Sequence, residues 1–310
     1  MTPATERKRD QLRFFVEQVL VPEPAVQGVV GIGSIGTGRM RPDSDIDAIV
    51  FLEPMDWHVI PGEFIWRPSD GTFHSIFTDD ALVRSEGVEL DCQRLDLRQW
   101  ASAEFEWPEG RRAELVQGWA VFDREDRIGL LIHERTTYPE LLRQRRLDEA
   151  VTWLDQHLGE DGPQVRWQSL GPQIAFDRLG AAYHYLVAAL FAYNRAWRPW
   201  RNRQMESLLK LSWLPDRFED RVLLAANGQG FDEDAYMARV QAMTGLFGDL
   251  LNRLVADGFY TEEPIGQAFV RSHDEPGFAW SMDEWNADRG PRVKNGLSIS
   301  AKVVAPASGE

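Results

Sequence analysis

Apolar positions divide the chain into a first part with strand patterns and a second part with helical patterns. Residues 5–20 carry an apolar stripe at helical spacing that ends before Pro22 and predicts an amphipathic helix. Residues 29–32 and 46–52 are short, β-branched apolar runs, which predict two adjacent strands covered on both faces. Residues 88–95 alternate between apolar and polar side chains, and therefore predict a third strand with one acidic face.

Weaker patterns surround these strands. Residues 53–86 are rich in Pro, Gly, Asp and Trp and predict hairpins or loops around 64–66 and 72–77. Asp96 is a good N-cap for a following helix. The elements predicted after it are helices at 97–105 and 111–119, a short strand or turn at 120–123, and then helices at 127–134, 139–158, 174–194, 205–211, 215–226 and 233–257.

These patterns predict an α+β fold class. A small mixed sheet with helices is expected over residues 1–130, followed by an all-helical domain over 131–290. Residues 291–310 are small and polar without periodicity and are predicted to form a mobile tail.

Composition narrows the class of protein. The 43% of apolar and 27% of charged residues are typical of a folded globular chain. The net charge of −15 disfavours general binding to nucleic acid. The sequence has a single cysteine, Cys92, and shows neither a signal-peptide pattern nor an apolar segment long enough to span a membrane. These features favour a cytoplasmic protein without a membrane partner.

A glycine-rich turn follows the first predicted strand. Residues 31–36, GIGSIG, match the dinucleotide-binding pattern, and Glu53 lies at about the spacing of its acidic residue. That interpretation needs a crossover helix before the next strand, but residues 37–45 are too few and include Gly38 and Pro42. The chain also has no Gly-Lys-Ser/Thr motif, which excludes a P-loop.

Two carboxylates at the start of the second strand carry the strongest chemical signal. Asp45 and Asp47 are two residues apart, so in a strand they project from the same face. Paired carboxylates repel each other unless a cation lies between them, and Mg²⁺ prefers such oxygen ligands while leaving positions for phosphate oxygens. The third strand adds an acidic face with Glu89 and Asp91, and the Gly-Ser turn could hold phosphate. Together these features are typical of a site for two-metal phosphoryl or nucleotidyl transfer.

With these motifs the chain resembles the DNA polymerase β-like nucleotidyltransferase superfamily. The superfamily signature is Gly-Ser, a spacer, Asp-x-Asp on a strand and a third carboxylate on a later strand. Here it stands as Gly33-Ser34, ten intervening residues, Asp45-Ile46-Asp47 and Leu90-Asp91-Cys92. The motifs extend over residues 28–124, and residues 41–47, RPDSDID, look most like the antibiotic (aminoglycoside) adenylyltransferase branch.

The resemblance implies an N-terminal nucleotidyltransferase fold and a function. It implies transfer of a nucleoside monophosphate, AMP where the donor is ATP, to a hydroxyl of a small acceptor such as an aminoglycoside-like antibiotic, with two Mg²⁺ ions and with another nucleoside triphosphate as the alternative donor. Asp45, Asp47 and Asp91 would be the metal ligands, and either Asp91 or Glu89 would assist deprotonation. The alternatives are a toxin-like enzyme that modifies protein or RNA, and a catalytically silent nucleotide-binding protein.

Two further groups of candidate residues have both a functional and a structural interpretation. Gly33 and Ser34, together with Ser44, are candidate nucleotide contacts, but serines also satisfy turn amides. Aromatic and basic residues of the helical half could stack a base or reach a triphosphate, although a helix core with a solvated basic end is the favoured interpretation. They are Tyr183, Tyr193, Asn194, Trp197, Trp200, Arg201 and Arg203.

Overall fold

A computed structural model describes residues 1–159, 162–228, 230–273, 282–283 and 285–287. The chain divides into two compact units, each treated separately below. The first unit contains residues 1–139 and 194–211, and the second contains 140–193 and 212–310. Residues 291–310, which the sequence predicts as a tail, lie outside the described residues.

The first unit is built on one mixed sheet of six strands in the order β4-β3-β5-β2-β1-β6. Strands β2 and β5 are parallel, and the other neighbouring pairs are antiparallel. The strands are β1 (Val26–Gly31), β2 (Ile46–Leu52), β3 (Glu63–Arg67), β4 (Thr72–His74), β5 (Val88–Asp96) and β6 (Trp119–Asp123). Because β1 and β2 are antiparallel and joined without a crossover helix, the exclusion of a dinucleotide fold is confirmed.

Helices cover both faces of this sheet. The helices of this unit are α1 (Pro3–Phe15), α2 (Gly33–Thr37), α3 (Ala81–Glu86), α4 (Leu97–Ala101), α5 (Glu109–Val116), α6 (Arg127–Thr136) and, much later in the chain, α10 (Arg201–Leu208). Leu12 and Phe15 of α1 pack with one side of the sheet, and a π-helical turn at Val16–Leu20 extends that contact. The opposite cluster joins Ile49 and Phe51 of β2 to buried side chains of α4, α5 and α6. Alternate residues of β2 therefore enter two separate cores, as expected of a strand covered on both faces.

The regular secondary structure of the second unit is helical over its described residues. Its helices are α7 (Glu140–Leu158), α8 (Gly162–Leu170), α9 (Pro172–Tyr193), α11 (Phe218–Asn227), α12 (Glu233–Ala256) and α13 (Pro264–Ser272). A buried carboxylate ties three segments together: Asp148 of α7 accepts hydrogen bonds from the Tyr260 hydroxyl at 2.7 Å and from Arg271 at 2.8 Å. None of the described helices is both long enough and apolar enough to cross a membrane.

The α+β class predicted from the sequence is confirmed, while several element boundaries differ. The helix predicted at 97–105 ends at Ala101, and the one predicted at 111–119 ends at Val116, because Trp119 begins β6. Helices α2, α3, α8 and α13 were not predicted from the sequence; α2 has only five residues, too few to show helical periodicity. Residues 194–211, placed in the helical domain by the sequence, pack with the first unit.

Candidate active site

The parallel pairing of β2 with β5 brings the predicted carboxylates together. Asp47 is the register partner of Asp91, and Asp45 lies two residues before Asp47, just ahead of β2. The neighbouring positions Ile46 and Leu90 are also register partners and are buried in the core. Alternation along each strand therefore directs Ile46 and Leu90 into the core that contains Leu12 and Phe15, and places Asp47 and Asp91 on the opposite face of the sheet.

Gly33 brings the start of α2 against Asp47. The amide of Ile32 donates a hydrogen bond to the Asp47 carbonyl at 3.0 Å, which fixes the end of β1 beside β2. Gly33 follows with φ of +60°, and a β carbon at this position would lie 2.7 Å from Asp47 Oδ2. Only glycine meets both conditions, since the left-handed conformation is unfavourable for other residues and the carboxylate leaves no room for a side chain.

The cluster holds more negative charge than the protein compensates. Burial raises the pKa of Asp47 to about 6, with further contributions from the charges of Asp45 and Asp91. Burial also raises the pKa of Asp91, as do the charges of Glu63 and Asp45. A bound cation would relieve this repulsion.

Two arginines partly offset this charge. Arg203 of α10 lowers the pKa of Asp47, while Glu114 of α5 raises it. Arg111, also in α5, lowers the pKa of Asp91 and is paired with Glu114 at 2.8 Å. Helix α5 thus contributes an ion pair, and α10 a cation, to the surroundings of the carboxylates.

Glu63, Arg111 and Glu114 were not predicted as site residues from the sequence. Glu63 comes near Asp91 because it is the register partner of Asp91 on β3, and the sequence predicted β3 only as a hairpin or loop without register. Arg111 and Glu114 lie one turn apart on α5, a spacing that is common on solvated helices and carried no signal.

The remaining candidates occupy different surroundings. Glu89 lies 3.9 Å from Arg84, its side chain is 46% exposed, and it is not among the charges that shift the pKa of Asp47 or Asp91. The Ser44 hydroxyl accepts a hydrogen bond from the Arg41 amide at 3.2 Å, which is a local turn contact. Ser34 lies half-buried in α2.

The aromatic and basic segment separates into structural and site residues. Tyr193 is buried and donates its hydroxyl to Asp257 at 2.6 Å, while Trp197 is buried and donates to the Thr136 carbonyl at 2.6 Å. Both aromatic rings therefore belong to the interior of their own unit. Arg203 is exposed and lies within electrostatic range of Asp47.

The carboxylates supply the kind of oxygen ligands that a magnesium ion prefers. Among the described residues, no three His, Cys, Asp or Glu side chains already enclose a point suited to a metal ion. A few carboxylates with mutual repulsion provide hard oxygen donors and leave positions for substrate phosphates, which is how Mg²⁺ is commonly held beside a nucleotide. Asp45, Asp47 and Asp91 satisfy this description.

Comparisons with known proteins add little. No family model matches the chain, and no curated protein matches it. A solved structure of a nucleotidyltransferase-like protein from Exiguobacterium sibiricum 255-15 is similar to it with a TM-score of 0.40 and 14% identity, covering 94% of this chain and 92% of that chain. A likeness of this size carries no argument about function.

Proposed function

We propose that the chain is a nucleotidyltransferase that moves a nucleoside monophosphate, AMP from ATP, to a hydroxyl of a small acceptor and releases pyrophosphate. The observation that carries the proposal is the pairing of Asp47 with Asp91 across parallel strands, with Asp45 beside them and Gly33 against the Asp47 carboxylate. Uncompensated carboxylates of this kind suit a reaction whose substrate arrives as a magnesium complex.

In the reaction, the acceptor oxygen forms a bond to the α-phosphorus as the bond from that phosphorus to the bridging oxygen breaks. Pyrophosphate leaves with the electron pair of the broken bond, and the acceptor proton passes to a carboxylate. Asp91 is the base candidate nearest to Asp47 in the strand register, and Glu89 is the second. The bound triphosphate adds negative charge, so the neighbouring cation Arg203 would favour it.

Magnesium would be held by Asp45, Asp47 and Asp91. When bound, it supplies charge neutralisation for the phosphates and lowers the pKa of an oxygen that it polarises. The backbone has three tasks beyond this. It fixes the carboxylates on the sheet, leaves the first amides of α2 at Gly33 and Ser34 without intrahelical acceptors, and holds Asp47 in place through the hydrogen bond from the Ile32 amide to the Asp47 carbonyl.

The test measures pyrophosphate release from each of the four nucleoside triphosphates with Mg²⁺ and a panel of hydroxyl acceptors. We expect ATP to be used, and Asp47→Asn to lower the rate by at least about a hundredfold, since several kcal/mol of charge stabilisation is lost. Asp43→Asn is the matched control, because Asp43 is an exposed loop carboxylate paired with Arg41 at 3.3 Å.

Two results would overturn the proposal. One is the absence of pyrophosphate release with every triphosphate and acceptor from a folded protein. The other is an Asp47→Asn variant that retains the parent rate, or that falls no further than Asp43→Asn.

A further inference from the structure

A cleft beside the carboxylates is lined by one face of α1. Ala4, Arg7, Lys8 and Gln11 have the spacing of a single helical stripe, and Pro42 closes the other side of the cleft. Its volume is about 490 Å³, which is enough for a small molecule. Pro42 belongs to the loop that leads into Asp45, three residues further along the chain.

Two of the three charged side chains that line this cleft are cations, Arg7 and Lys8. Asp10 also lines it, but this carboxylate is paired with Arg13 at 3.0 Å. Over the part of the chain that the structure describes, neither Arg7 nor Lys8 makes an ion pair or a side-chain hydrogen bond. Two adjacent cations without partners are unfavourable, and an anion between them would relieve their repulsion.

Lys8 links the cleft to the active site. Its side chain is half-buried, and burial lowers its pKa, an effect that the nearby Arg7 adds to and that the charges of Glu89 and Asp45 oppose. The ammonium therefore lies within electrostatic range of the carboxylates at the start of β2 and β5. A molecule held at Lys8 would therefore lie within electrostatic range of Asp45.

We propose that this cleft is an acceptor subsite, in which Lys8 and Arg7 bind a carboxylate or phosphate group of an anionic hydroxyl compound. The inference rests on the proposed function and names the class of its acceptor. A polycationic acceptor would meet two like charges here, and would not be held by them. The ligand chemistry required is an anion that accepts charge-assisted hydrogen bonds from an ammonium and a guanidinium.

Calorimetric titration with inorganic phosphate tests the subsite directly. The full-length protein is titrated alone and again when saturated with Mg²⁺ and a non-hydrolysable ATP analogue. We expect phosphate to bind in both conditions, and Lys8→Gln and Arg7→Gln to weaken it by about ten- to a hundredfold, the loss of one charge-assisted hydrogen bond.

Two control variants distinguish binding from folding. Lys8→Arg keeps the charge and should retain most of the phosphate affinity. Arg217→Gln removes an exposed cation that is paired with Asp220 at 3.1 Å and does not line the cleft, and it should leave phosphate binding unchanged. The proposal is overturned if the parent does not bind phosphate, or if Lys8→Gln binds it as well as the parent.

The titration in the presence of the ATP analogue shows whether the anion bound in the cleft belongs to the nucleotide or to the acceptor. If the ATP analogue abolishes phosphate binding, or if Lys8→Gln loses affinity for the analogue itself, the cleft holds a nucleotide phosphate and the acceptor assignment is wrong. The titration without nucleotide requires no turnover, so a failure of the proposed function, seen as absent pyrophosphate release, is distinguishable from a failure of the subsite. In an active protein, phosphate should compete with the acceptor and not with ATP.

Discussion

The carboxylate of Asp47 occupies the space that a side chain at position 33 would need. A β carbon on Gly33 would lie 2.7 Å from Asp47 Oδ2. The glycine of the Gly-Ser turn is thus tied to the strand carboxylate by contact as well as by its positive φ. The same contact makes position 33 sensitive to substitution.

Gly33→Ala should lower turnover by about a hundredfold, because displacing Asp47 by even 1 Å disturbs the reacting geometry. The left-handed conformation adds a stability cost of about 1 kcal/mol. Gly38→Ala is the matched control, since Gly38 has φ of +76° but the atoms nearest to a β carbon there would be those of Met1, at 3.7 Å or more. Steady-state kinetics and urea unfolding of both variants check this expectation. Equal activity losses in the two variants would contradict it.

Neutralising Asp91 and neutralising Glu89 should have different effects on the magnesium dependence of turnover. Asp91→Asn should raise the magnesium concentration needed for turnover, because this residue is the register partner of Asp47. Glu89→Gln should leave the magnesium dependence unchanged, since Glu89 faces Arg84 at 3.9 Å. Single-turnover rates measured against magnesium concentration decide between the two, and a reversed pattern would exchange their roles.

Arg112 should be important for the stability of the first unit. Its buried guanidinium donates to the carbonyls of Trp107 and Arg135 and lies 4.7 Å from the ring centre of Trp197. Arg112→Met should lower the free energy of unfolding by about 2 kcal/mol, because two carbonyls lose their donor. Arg41→Met, at an exposed ion pair, should change it by less than about 0.5 kcal/mol. Denaturant unfolding of both variants measures the contrast, and similar losses would show that the buried contacts add little.

His157 should make the stability of the protein depend on pH. Burial lowers its pKa to about 4 in the folded state, with Arg166 and Arg178 adding to the effect and Asp177 opposing it. Below pH 6.5 the unfolded chain binds a proton that the folded chain does not, so stability falls as the pH drops from 6.5 towards 4. The loss reaches about 3 kcal/mol, at about 1.4 kcal/mol per pH unit.

Unfolding of the parent and of His157→Gln across this pH range tests the contribution. The buried ring is flanked by Trp153 and Tyr185, with ring centres at about 6 Å, so the variant should be less stable than the parent at pH 7. The difference should shrink as the pH falls, because the variant has no imidazole to protonate. Parallel pH profiles would assign the acid sensitivity to other groups.

Local sequence patterns predicted the central strands, and pairing between distant segments supplied the rest. The continuous apolar run of β2 and the alternation of β5 are visible in the sequence, and both strands were predicted at nearly their observed bounds. The registers that bring Glu63 to Asp91 and Asp91 to Asp47 depend on tertiary pairing. The same is true of Arg203, which is near Asp47 only because residues 194–211 pack with the first unit.

The two stretches that form the first unit are interleaved with the second unit along the chain. As the nascent chain leaves the ribosome, residues 1–139 emerge first and α7, α8 and α9 follow. Residues 194–211, which complete the first unit, emerge only after these helices. Until then Arg112 lacks the Trp197 ring, and Glu109 lacks the Arg198 amide that it accepts at 2.9 Å. Proteolysis within α7 would therefore divide both units between two separate polypeptides.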